Sequence, residues 1–161
     1  EACRAAGVST AAPYKHFKNK GEMINAVMLQ SMARHKNEML AALAPHPEGS
    51  LERIRALGRN YVGFAMREPG IFLLRFGHTD GPQLPALEEM GQDTYDIVQN
   101  EVASILGGPG GTDKVKQRSF MLWGFVHGLS MVSMNPELAE KGGNLDVEEL
   151  LNQIGWRVLR D

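Results

Sequence analysis

From Lys20 to Leu43 the chain carries no proline, and Ile24, Val27, Met28, Met32, His35, Met39 and Leu43 recur at spacings of three and four. That interval is the turn of an α-helix and not the period of two that a strand requires, so the segment predicts a long helix with one buried stripe. Pro45 and Pro47 end it, because proline lacks the N–H that a continuing helix needs. Ser50 is a candidate cap for the next helix, in which Leu51, Ile54, Gly58, Tyr61, Val62 and Ala65 mark a second stripe. Glu68-Pro69-Gly70 breaks that helix, and a short apolar piece, IFLLRF at 71–76, leads into the loop GHTDGPQLP. A further helix is predicted over 85–106, bearing Glu88, Glu89, Asp93, Asp96 and Glu101. GGPGGT at 107–112 is a flexible connection with Thr112 as a candidate cap. Two more helices are predicted over 113–134 and 146–160, the second opened by Asp146 and Glu149 in a capping-box arrangement. Without a convincing alternating strand or an internal repeat, the fold class is all-α.

At 161 residues, 43% hydrophobic and 22% charged, the chain suits one sizeable core, or a core plus a small appendage. Its longest nearly apolar run, 120–132, is interrupted by His127 and falls short of the roughly 20 residues that cross a bilayer. No membrane partner is expected. Cys3 is the only cysteine, which excludes an internal disulfide framework and fits a reducing cytoplasm. There is no initiator Met, and EACRAAG opens as though already inside a helix, so the true N-terminus is expected upstream and a removed targeting signal stays open. The net charge of −2 conceals an asymmetry: residues 1–36 carry +4 and the remainder −6. A basic end on an acidic protein points towards a polyanion, although a merely solvated face would look the same.

The basic end contains GVSTAAPYKHFKNK, residues 7–20. EACRAAG reads as the end of one helix, Gly7 as the left-handed residue that stops it, and Val8 as an apolar plug. Ser9 or Thr10 would then cap a second short helix running to about Phe17. That is a helix-turn-helix outline. With Thr10 as cap, Pro13 falls in the first turn, where its missing N–H has no intrahelical partner. Such a helix enters the major groove with its N-terminal residues against base edges, while cationic and hydroxyl groups grip phosphates. Tyr14, His16 and Lys20 are suited to that grip.

The run of Gly7, Val8, Ser9, Tyr14, His16, Phe17 and Lys20 resembles the DNA-binding signature of the TetR family of bacterial transcription regulators. Trp123, His127 and Gly128 resemble the W-x-x-x-H-G pattern of one of that family's C-terminal ligand-binding classes. Pro13 stands where a large apolar residue is commoner in the family, and the start of the chain corresponds to a point within the family's second helix. The resemblance implies an incomplete helix-turn-helix module with its connecting helix over 1–44, and an effector-binding and dimerisation domain of about five to six helices over 45–161. It also implies a cytoplasmic, homodimeric repressor that is released from double-stranded operator DNA by a small effector. The DNA-contacting candidates are Ser9, Thr10, Ala11, Ala12, Tyr14, Lys15, His16 and Lys20.

The helix over 113–134 is apolar all round, which a small bundle accommodates only if the helix is central or covered by another chain. Trp123 and His127, one turn apart, face away from the stripe that runs from Val115 to Leu129. With Tyr61, Phe64 and Tyr95 they are expected to line a small, largely apolar effector site. The stripe itself, represented by Leu122, Val126 and Leu129, is expected to meet a second copy, together with Leu151, Ile154 and Trp156 of the last helix. No nucleophile, base and orienter stand out as an enzyme would need, no histidine pair has close metal-site spacing, and no cofactor is indicated. The alternatives are a helical bundle that binds a ligand or catalyses without touching DNA, and a purely structural dimerisation module, which would enclose no cavity.

Overall fold

A computed structural model describes residues 2–77, 84–143 and 146–160. Among them the chain is helical throughout, with no strand: α1 (Ala2–Ala5), a 3₁₀ turn (Pro13–Lys15), α2 (Lys20–Leu43), α3 (Leu51–Arg67), α4 (Pro69–Phe76), α5 (Pro85–Leu106), α6 (Asp113–Ser133), α7 (Pro136–Lys141) and α8 (Val147–Leu159). Most of the loop expected between 77 and 85 lies outside the described residues. None of the described helices is long and apolar enough to cross a membrane.

The N-terminal segment follows its expected path only in part. Gly7 has φ of 67°, and the amides of Gly7 and Val8 donate to the carbonyls of Arg4 and Cys3 at 3.2 and 2.9 Å, the paired bonds of a left-handed helix stop. Val8, read as a plug, is instead 47% exposed. The short helix to Phe17 is also corrected: Ser9 and Thr10 do not cap it, and only a three-residue 3₁₀ turn forms, behind Ala12. Its bonds mostly span three residues, from Ala12 to Ser9, Tyr14 to Ala11, Lys15 to Ala12 and His16 to Pro13. Pro13 sits in the middle of this run with no N–H to give, which removes one rung of any four-residue ladder.

Asn19 opens α2, its side chain accepting from the Glu22 amide at 2.9 Å. Met28, Met32, His35, Met39 and Leu43 are buried on one face, whereas Val27, expected among them, is exposed. The far end of α2 is held by Arg53, which donates to the carbonyls of Leu43 and His46 at 3.3 and 3.2 Å. The same guanidinium forks onto Glu101 of α5 at 2.6 and 2.8 Å. Thus one side chain of α3 satisfies a carbonyl of the last turn of α2 and joins three helices.

Helix α3 is the centre of the bundle and packs against α2, α4, α5, α6 and α8. Close contact with α8 depends on Gly58: a Cβ there would meet Leu151 Cδ2 at 2.7 Å. The main cluster joins Ile54, Val102, Val115, Leu122 and Val158, and a second joins Val62, Leu129 and Leu151. This corrects the expected seam. Leu122, Leu129 and Leu151 are buried in the chain's own core at 5%, 9% and 2% exposure, because α3 and α8 close over that face of α6. Val126 and Ile154 are half-buried beside them. Trp156 is exposed, with the Arg160 guanidinium 3.4 Å above its ring. Asp146 caps α8, accepting from the Glu149 amide at 3.2 Å, and the short α7, begun by Asn135 and Pro136, was not foreseen.

Replacing Arg53 by Met should lower unfolding stability by about 2 kcal/mol, since it strands the Glu101 carboxylate and the Leu43 and His46 carbonyls. Urea unfolding monitored by circular dichroism measures this; a loss near zero would show that the clamp is replaced by water at no cost.

Candidate effector pocket and DNA-facing segment

A cavity of about 710 Å³, partly open to solvent, lies between α2, α3, α4, α5 and α6, within the range that holds a small organic ligand. One wall is the buried face of α2, with Met28, Met32, His35 and Met39. The opposite side carries Leu87, Thr94, Tyr95 and Val98 from α5. Tyr61, Arg75, Phe76, Phe120 and Trp123 complete it, and Gly21, Ile24 and Asn25 carry it to the first turns of α2.

Of the five residues expected to line an effector site, Tyr61, Tyr95 and Trp123 line this cavity. Phe64 does not: it is 2% exposed and lies in a cluster with Ala65 and Phe72, 4.3 Å from the His35 ring centroid. His127 also stands behind the wall. Its Nδ1 is 3.0 Å from the Tyr61 hydroxyl, and its ring stacks on Phe72 at 5.3 Å. It therefore orients a lining phenol and does not itself face the space. Burial pushes the Tyr61 phenol up to about 12 and the His127 imidazole down, so both are neutral near pH 7.

Sequence reasoning missed His35, Arg75 and Thr94 as lining residues. His35 is 2% exposed and its Nδ1 has no hydrogen-bond partner. Burial, and then the positive charges of Arg75 and Arg67, hold it down to about 4. Arg75 is half-buried, and its guanidinium is lowered by burial. The available signal was a single basic residue inside the apolar run IFLLRF.

In the segment that leads into α2, Ser9, Thr10, Ala11, Tyr14, Lys15, His16 and Lys20 are all exposed, and Ala12 is half-buried. Tyr14 is 60% exposed, so it is not the small-core residue that its aromatic character also allowed. Lys20 is the first residue of α2, directly after the turn that carries Tyr14 and Lys15. A concentrated set of hydroxyl, phenol and cationic groups is thus joined without a break to a helix that walls the cavity.

Residues 54–154 match the family model described as "Tetracyclin repressor-like, C-terminal domain". The chain is also similar to a solved structure described as "a protein with unknown function from Rhodococcus sp. RHA1", with 25% identity and a TM-score of 0.76 over 99% of this chain and 82% of that one. No curated protein matches the sequence.

His35 makes stability depend on pH in a stated direction. Its folded value is depressed to about 4 against an unfolded value near 6.5, so the unfolded chain binds the proton more readily. The contribution is complete above about pH 6.5 and is lost as pH falls towards 4, amounting to about 3 kcal/mol. His35→Leu should therefore lose about that much less stability than the native chain between pH 7 and 4. Parallel acid dependence of the two in urea titrations would remove His35 as the cause.

Proposed function

Since the chain belongs to the tetracycline-repressor (TetR) family, we propose that it is a DNA-binding transcriptional repressor released from its operator by a small, mostly apolar effector held in the cavity. The observation that carries this reading is the continuity of α2. Gly21, Ile24 and Asn25 wall the cavity in the first two turns after Lys20, and Lys20 follows the exposed turn of Tyr14 and Lys15. Whatever fills the cavity presses on the end of α2 that carries the DNA-facing segment, while the other end is clamped by Arg53. A tilt about that clamp would shift the segment without breaking the helix. Release by a hundredfold requires about 2.7 kcal/mol of differential affinity, within the usual range of coupling energies. The cavity also removes support from a purely structural dimerisation module, which has no use for one.

The repressor acts as a homodimer on a two-fold operator. The face that supports pairing is not the stripe foreseen from sequence but the opposite side of α6. Met121 and Met131 are exposed there, and Gly124 and Gly128, exposed between them, have open space where a Cβ would stand. Such a stripe allows close approach of a second helix, and Trp156 of α8 extends the apolar surface. Two such chains would present their DNA-facing segments about 34 Å apart, or a modest multiple of that.

Two measurements test the proposal in the intact protein. In gel shifts with DNA upstream of its own gene, Lys20→Ala should weaken binding to every sequence alike and lower the salt slope by roughly one phosphate, whereas Thr10 and Lys15 changes should alter sequence preference. An unchanged slope removes the phosphate role, and no shift by the native protein removes the regulator. In sedimentation, Met121→Glu should yield monomer while native stability is kept; a fully dimeric variant would move the interface elsewhere.

A further inference from the structure

The polar groups of the cavity are uneven in charge. Arg75, in the last turn of α4, donates from Nη2 to Thr94 Oγ1 at 3.3 Å. The Thr94 proton is already directed to the carbonyls of Gly91 and Met90 at 2.8 and 3.1 Å. The guanidinium lies beside the backbone of α5, where a Cβ on Gly91 would stand 3.8 Å from the same Nη2, in ordinary contact. Its Cζ stands 5.1 Å from the Phe76 ring centroid.

Among the described residues, Arg75 has no carboxylate partner. Arg34, Arg53, Arg55, Arg59 and Arg67 each pair with a glutamate, whereas Arg75 forms no salt bridge among the described residues. Glu88, the one carboxylate among the lining residues described, is exposed and does not pair with it. The C-terminal dipole of α4 favours a cation at this position, but it does not occupy the guanidinium's donors. Five N–H groups are available and Thr94 takes one. His35 lines the same cavity, and its buried Nδ1 has no hydrogen-bond partner among the described residues.

The geometry points to an organic monocarboxylate with an apolar body as the class of effector, its carboxylate forking onto Arg75 and its body lying along Met28, Met32, Leu87 and Trp123. This rests on the reading of the cavity as the effector site. Arg75 is the one guanidinium in a mostly apolar lining whose only described carboxylate, Glu88, is exposed; it matches one negative charge, and its planar fork matches the two oxygens of a carboxylate. A phosphate monoester, with up to two charges and three oxygens, would leave most of its acceptors facing thioethers and rings.

The test uses decanoate, decanol and decyltrimethylammonium as matched probes, each displacing the neutral dye Nile red from the native protein. Decanoate should bind at least about tenfold more tightly than decanol, and the cation most weakly. In Arg75→Met the acid should fall to the affinity of the alcohol, while Arg75→Lys should keep part of the preference. Circular dichroism melting verifies that each variant is folded, and the native comparison stands without any variant. Equal binding of acid and alcohol by the native chain, or a preference that survives Arg75→Met, overturns the carboxylate assignment and leaves the cavity reading intact. If the dye and all three probes fail to bind, the cavity reading falls and takes this inference with it.

Discussion

The fork of Arg53 onto Glu101, with its second hold on the Leu43 and His46 carbonyls, is the contact on which the geometry of the molecule turns. A helix of 24 residues is roughly 36 Å long, so a small rotation at one end becomes a large displacement at the other. The side chains of Arg53 and Glu101 are only 15% and 11% exposed, where water competes weakly for the pair. Further along α2 the ties are more solvated: Lys36 reaches Asp93 at 2.6 Å, Arg67 reaches Glu38 at 2.6 Å, and Arg34 and Ser31 both bond Glu68. Exposed pairs of that kind contribute little and yield readily. The helix is therefore tied at its C-terminal end by the least solvated of these ion pairs and along the rest of its length by more exposed ones.

The cavity lies along the part of α2 that precedes this clamp. Near the clamp, Leu43 and Met39 pack with Leu57, and along α2 the cavity reaches no further than Met39. Towards the N-terminus, Met28 and Met32 meet Leu87, and the wide space between α2 and α5 opens beside them. The aromatic side of that space is held rigid from behind. Phe72, at 0% exposure, touches the rings of Tyr61, Phe76 and His127, and His127 fixes the Tyr61 hydroxyl. One wall is thus stiff and the facing wall belongs to a helix whose ties there are the more exposed ones.

Much of this architecture was legible in the sequence, and the parts that were not share a physical cause. The bounds of α2 and α5 follow from local rules, since prolines and glycines stop helices regardless of what surrounds them. The cap at Asp146 follows from a spacing of three residues. The orientation of α6 does not, because Val115, Leu122 and Leu129 on one side, Trp123 on another and Met121 and Met131 on a third are all apolar. A helix without a polar face has no local signal for which side its own chain will cover, and the stripe assigned to a partner proved to be core. Trp123 was assigned to the site because it faces away from the Val115 to Leu129 stripe, and it lines the cavity; Phe64, assigned with it, lies in the core. Arg75 was passed over because a charge in a short apolar run carries no periodicity, and its position depends on how α4 folds back against α3 and α2.

Met28, Met32 and Met39 give the α2 wall an unusual texture. A leucine side chain offers a fixed shape, whereas each thioether has three rotatable bonds and a polarizable sulfur, and can refill a gap of changed outline at little cost. Such a wall measures the bulk of what lies against it more than its contour. Were a ligand to fill the cavity, the stiff rings and the placed cation on one side would set its orientation, while the adaptable thioether floor on the other would respond mainly to its volume.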